Sequence, residues 1–136
     1  MTNAKIAEIL DNAAEHYKRM LNGIYDNIPN LPREPDMMEF KKVVGETWSS
    51  ADCPLCKAFH HSVPDDNRCD GCPVHEFFGG CNKTPHHYMA YAKSWGEWID
   101  AAQMEYNLLQ LLYSYYIERA QNDTLSFEME CRVIRK

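Results

Sequence analysis

Five of the six cysteines fall between residues 49 and 83, and four of them form two pairs, Cys53-Pro54-Leu55-Cys56 and Cys69-Asp70-Gly71-Cys72, separated by twelve residues. Two residues between thiolates allow one tight turn to present both sulfurs to a single ion, and two such turns supply a tetrahedral set of four. Pro54 restricts φ directly after the first sulfur. In the second pair, Asp70-Gly71 makes the turn and Pro73 stands where a helix can begin. Cys72 would then lie beside free helix N–H groups, which favour a thiolate. A knuckle followed by a ligand pair at a helix start is similar to a treble-clef zinc site. The pattern therefore predicts one structural Zn2+ held by Cys53, Cys56, Cys69 and Cys72. Cys81, His86 and His87 are alternate ligands. An iron–sulfur cluster is the rival cofactor, although the compact Cys-x2-Cys-x2-Cys run of ferredoxins is missing.

The same residues offer little support for catalysis. A catalytic zinc keeps one position open, whereas four cysteines close the shell. A deaminase site would need a His-x-Glu or Cys-x-Glu ahead of Pro-Cys-x-x-Cys, and the His75-Glu76 dipeptide lies after both cysteine pairs. Neither a phosphate loop nor a nucleophile motif is present. Pairing Cys81 with His86 or His87 as a dyad would require an orientation that proximity in sequence does not supply. A redox role for a single Cys-x-x-Cys of the thioredoxin type needs a βαβ setting that this chain lacks. The expectation is a protein that is not an enzyme.

The elements that must carry these cysteines read as mostly helical. Ile6, Ile9, Leu10, Ala13, Tyr17, Met20, Leu21 and Ile24 recur at helical spacing, which predicts an amphipathic N-terminal helix capped by Thr2 or Asn3 and ending near Gly23. A proline-rich connection comes next, then a short helix or strand over residues 38–44. Thr84-Pro85 marks a helix start, and Gly96 is read as a break. A long helix from about Glu97 to Gln121 places Trp98, Ile99, Ala102, Tyr106, Leu109, Leu112, Tyr113, Tyr116 and Ile117 on its apolar side. Leu125, Phe127, Met129, Cys131 and Val133 alternate with polar residues, which reads as a β-strand. The fold class expected is mainly α: one small domain over 1–136, with the N-terminal helix and connection in 1–48, a cysteine-rich metal-binding insertion in 49–83, and a helical region with a C-terminal strand in 84–136. Zinc binding would form part of the folding free energy.

Length and composition agree with a single globular domain: 136 residues, 45% hydrophobic and 25% charged. The net charge of -6 argues against a nucleic-acid binder, because phosphate contacts demand a basic face. It suits a protein partner with a basic surface. Neither a signal peptide nor a membrane-spanning run is legible, so the expected location is the cytoplasm, where cysteines stay reduced.

Cys53-x-x-Cys56, Cys69-x-Gly71-Cys72-Pro73-Val74, Cys81-x-x-Thr84-Pro85 before a tyrosine-rich helix, and Ala101-Ala102-Gln103-Met104-Glu105 together resemble a group of small cysteine-rich bacteriophage and prophage proteins. The resemblance covers about residues 50–115. It departs where the group carries a Gly-Thr-Pro-Tyr-like stretch and this chain reads Cys81-Asn82-Lys83-Thr84-Pro85-His86-His87. It implies a phage origin, a bacterial host cytoplasm and a metal-stabilised fold, and no particular activity. The functional expectation is an accessory protein that binds and modulates a host or defence-system protein, as a monomer or a homodimer. The first alternative is a nucleic-acid-binding zinc knuckle using Lys57, Arg68 and Lys83 with Phe59, Phe77 and Phe78. The second is an iron–sulfur or redox protein.

Overall fold

In the computed structural model the described residues are 1–60 and 71–134, with side chains described for 1–59 and 71–124. Helix α1 (Asn3–Asn27) opens with the Thr2 side chain accepting the Lys5 N–H, as a capping hydroxyl should. Its inner face is Leu10, Ala13, Tyr17, Met20 and Ile24, all buried. The facing stripe belongs to α5 (Trp95–Ile134), where Trp98, Ala102, Glu105, Leu109, Leu112 and Tyr116 are buried. The two helices run antiparallel, with Asn3 near the start of α1 donating a 2.7 Å hydrogen bond to Asp123 late in α5. Burying each large apolar side chain on these faces contributes about 1.5–3 kcal/mol, and this pair forms the frame on which the rest is mounted.

Helix α1 does not stop at Gly23 but continues to Asn27. The glycine has a packing reason. A Cβ built there would lie 2.6 Å from Val44 Cγ1 and 2.8 Å from Val44 Cγ2. Gly23→Ala therefore trades a helix-propensity gain of about 1 kcal/mol against overpacking of about 1–3 kcal/mol. The expected result is a lower urea midpoint for Gly23→Ala, restored by adding Val44→Ala. A higher midpoint for the single variant would show that the contact relaxes freely.

The connection after α1 makes one 3-10 turn at Ile28–Asn30 and leads into α2 (Met37–Val44). The segment 38–44 is thus helix rather than strand. Asp36 accepts the Glu39 N–H at 3.0 Å, and Gly45 closes the helix at φ 95°, a left-handed position that suits glycine. Phe40 on α2 enters an aromatic cluster with Trp48, Trp95 and Trp98, ring centroids 5.2–5.8 Å from Phe40. Trp95 Nε1 also donates to the Pro32 carbonyl at 2.7 Å, which ties the proline-rich connection to α5.

Short helical pieces link α2 to α5. Residues 54–60 are helical, with a π-type turn over Cys56–His60. Helix α3 is Pro73–Phe78, a 3-10 turn covers Cys81–Lys83, and α4 is His86–Ala90. The break before α5 falls at residues 91–94, ahead of Gly96, which lies inside the helix. Ser94 Oγ accepts the Glu97 N–H at 3.1 Å and Glu97 accepts the Lys93 N–H at 2.9 Å. This capping arrangement, legible as Ser94-x-x-Glu97, fixes the start of α5 more strongly than the glycine interrupts it.

Two parts of the expected fold class are corrected. The fold is mainly helical, but no strand occurs among the described residues, and α5 runs through Ile134 where the alternating pattern predicted one. Leu125, Glu128, Met129, Glu130 and Arg132 are good helix formers. Extending an existing helix needs no new nucleus, whereas a lone strand has nothing to pair with. The zinc module expected over 49–83 is likewise not seen among the described residues, which leave out 61–70 and with them Cys69.

Candidate functional site

Cys53 precedes the helical turn at 54–60, and its carbonyl accepts the Lys57 N–H at 3.0 Å. Its sulfur therefore occupies the place of a capping side chain. It receives hydrogen bonds from the Cys56 thiol and from the backbone N–H groups of Cys56 and Leu55. The Cys56 hydrogen bond is the largest influence, and together these donors draw the Cys53 thiol down from 9.0 to about 7 against the opposing effect of burial. Cys56 moves the other way. As the donor to Cys53 its thiol is held strongly upward, with burial and the neighbouring sulfurs of Cys53, Cys81 and Cys72 adding to the effect. One cysteine of the pair is thus poised as thiolate and the other as thiol. Both remain partly exposed.

The pair opens onto a cavity of about 370 Å3. Trp48, Leu55, Val74 and Leu109 make its apolar walls, and Cys81, His75, His86, Tyr17 and Glu105 add polar atoms. Each comes from a different piece of the frame: Tyr17 from α1, Glu105 from α5, His75 from α3 and His86 from the start of α4. The buried Tyr17 hydroxyl lies 2.6 Å from His86 Nδ1. Burial first, then the nearby Glu105 carboxyl and the sulfurs of Cys53, Cys81 and Cys56, keep the Tyr17 phenol protonated. It is therefore the donor, and His86 accepts through Nδ1 as a neutral ring. Burial also lowers the His86 pKa, consistent with that tautomer.

Glu105 is 3% exposed and sits in the middle of the buried stripe of α5. Its Oε2 accepts the His86 N–H at 3.1 Å, and the Thr84 hydroxyl is a second partner. Burial outweighs these two bonds and raises its pKa above 4.5. A carboxyl with a raised folded-state pKa favours folding at low pH, and that contribution is lost as pH rises through the folded value. Glu105→Gln is expected to melt at a higher temperature than the parent near pH ~8 and at the same temperature at pH 4.5 and below, the ordinary carboxyl value. Identical melting of the two proteins across that range would show that Glu105 is not held in a penalised state.

The expected metal site is overturned by this geometry. Among the described residues no group of three or more His, Cys, Asp or Glu side chains is placed to hold a metal ion. Neither the zinc assignment nor the iron–sulfur rival survives as a reading of these residues. Cys53 and Cys56 direct their hydrogen bonding to one another. Cys72 is buried in the core, and Cys81 lines the cavity from a separate 3-10 turn. Cys69 lies outside the described residues. Of the alternates, His86 is engaged by Tyr17, and His87 packs its ring on Tyr91 at 4.8 Å. Cys53, Cys56, Cys81 and His86 line one cavity without forming such a group. Sequence spacing limits which sulfurs can converge but does not make them do so.

Phe59, considered as a base-stacking residue, is buried with its ring against Gly71, so it presents no face to a nucleic acid. Phe77 and Phe78 are exposed, and Arg68 lies outside the described residues. Tyr17, Trp48 and Glu105 belong to no motif that marks them as site residues. Glu105 does leave a signal in the sequence: a carboxylate occupies a stripe otherwise made of Trp98, Ala102, Leu109 and Leu112. No helix among the described residues is long and apolar enough to cross a membrane. No protein-family model, no curated protein and no solved structure matches this chain.

Proposed function

We propose that this chain is a dithiol–disulfide exchange protein, with Cys53 as the attacking thiolate and Cys56 as the resolving thiol. The observation that carries the reading is the Cys56 thiol hydrogen-bonded to the Cys53 sulfur at the edge of an apolar cavity. Thiolates, not thiols, attack disulfides, and a thiol with a pKa close to ambient pH is the most effective attacker. The lack of a βαβ setting among the described residues does not weigh against it, because chemistry resides in sites rather than folds. A π-type turn beside the pair fits a functional position.

The exchange balances in two steps. The Cys53 thiolate attacks one sulfur of a substrate disulfide, forming a mixed disulfide and releasing one substrate thiolate. Cys56 then gives up its proton and attacks the Cys53 sulfur, which forms the Cys53–Cys56 disulfide and releases the second substrate thiolate. Two electrons pass to the substrate, one proton leaves Cys56, and the two released thiolates take up protons from the solution. Glu105 lines the same cavity and would be the carboxylate that takes up the Cys56 proton. The apolar walls favour a substrate disulfide flanked by apolar groups. A reducing compartment such as a bacterial cytoplasm would keep the resting pair as the dithiol.

The direct test equilibrates the protein in glutathione buffers of graded poise, traps free thiols with an alkylating agent and maps the products by mass spectrometry. The expected result is a single reversible Cys53–Cys56 disulfide. A pair that stays reduced at every poise, or a disulfide that maps to Cys72 or Cys81, would overturn the proposal.

A further inference from the structure

A second feature lies on the far side of α4, away from the dithiol. Tyr88, Tyr91 and Met104 are 67%, 71% and 59% exposed. They border a groove of about 350 Å3, with Ala92 and Ala101 on its floor and Glu97 and Asp100 on its rim. That volume lies at the lower end of the range for ligand pockets. Along α5 the apolar stripe continues from Met104 through the partly buried Leu108 to Leu111, 74% exposed, and Tyr115, 40% exposed. Neither Glu97 nor Asp100 takes part in an ion pair among the described residues.

We infer that this groove docks a segment of a partner protein in which an aromatic or leucine side chain is flanked by Lys or Arg. Exposed tyrosine and methionine are residues that interfaces concentrate, and tyrosine is frequent among those that dominate binding. The two rim carboxylates select the sign of the partner's charge. They disfavour a phosphate backbone, which needs cations. They also disfavour a second copy of this chain, whose net charge is -6. A basic segment gains both from the apolar anchor and from charge complementarity that speeds encounter. The inference does not depend on the dithiol reading, since no residue of the groove lines the cysteine cavity.

The test selects a random-peptide display library on the immobilised full-length protein, then measures the enriched peptides by fluorescence anisotropy. Enriched peptides are expected to carry an aromatic or leucine residue beside Lys or Arg, and to weaken as salt rises. Tyr91→Ala and Asp100→Lys, both at exposed positions, should each reduce their affinity by about tenfold or more with unchanged circular dichroism. The inference is overturned if no peptide is enriched, if the enriched peptides lack basic residues, or if both variants bind as the parent does. It is equally overturned if sedimentation shows a dimer that Tyr91→Ala dissociates, since the groove would then belong to a second copy.

Discussion

Cys53→Ser is expected to slow alkylation of the dithiol site by iodoacetamide at neutral pH by more than about tenfold, with the fold retained. The magnitude comes from the thiolate fraction. With its thiol drawn down to about 7, Cys53 is roughly half ionised at neutral pH, whereas an ordinary cysteine near 8.5 is only a few per cent ionised. In this variant the hydrogen bond to the Cys53 sulfur and the charge of that sulfur are gone, but burial and the sulfurs of Cys81 and Cys72 still hold the Cys56 thiol upward, so Cys56 does not take over. Cys56→Ser should behave differently. A serine hydroxyl can still donate to the Cys53 sulfur, so the fast alkylation should persist while the mixed disulfide with a substrate accumulates for want of a resolving thiol. The rate of the parent protein should rise with pH through a midpoint near 7. If peptide mapping placed the fast-reacting thiol at Cys81, or if Cys53→Ser reacted at the parental rate, the assignment of the attacking sulfur would be wrong.

Trp98→Ala should produce the largest loss of stability of any single substitution considered, about 3–5 kcal/mol by denaturant unfolding. Trp98 is 0% exposed and its ring lies 5.4 Å from Phe40, 5.2 Å from Trp48 and 5.9 Å from Trp95. Removing it would leave a cavity where α2, the segment carrying Trp48 and the start of α5 meet. Those elements also support the wall of the cysteine cavity through Trp48, so the loss should be accompanied by faster alkylation of Cys56 and Cys81, which line it. Trp98 Nε1 is buried without a hydrogen-bond partner among the described residues, and an unsatisfied buried donor costs about 1–3 kcal/mol. Trp98→Phe removes that donor along with some volume, so its loss should be less than half that of the alanine variant. A change below about 1 kcal/mol for Trp98→Ala, the size of an average substitution, would mean that the aromatic cluster is not the point on which the elements depend.

Several features were legible in the residues alone because local rules govern them. The apolar period of α1, the Thr2 cap and the apolar side of the long helix depend on spacing and on hydrogen bonds within a few residues. The closeness of the Cys53 and Cys56 sulfurs was equally visible, since two residues between sulfurs bring them together in almost any turn. The β assignment for the tail failed because an alternating pattern does not reveal whether a helix already running will continue, and no glycine or proline separates residues 121–124 from Leu125 and its successors.

The sequence by itself determined a mainly helical chain, its principal apolar faces and a close pair of sulfurs at 53 and 56. The tertiary structure decided what that pair faces. Packing α1 antiparallel to α5 brings Tyr17 and Glu105 to one cavity across 88 residues of chain, and α4 delivers His86 between them. It also determined that Cys81 lines that cavity while Cys72 is buried in the core, and that among the described residues neither forms a metal-holding group with the pair. The physical reason is range. A helix stripe or a two-residue turn is set by neighbouring dihedral angles, whereas burial, thiol ionisation and the meeting of distant side chains depend on how whole helices pack and exclude water.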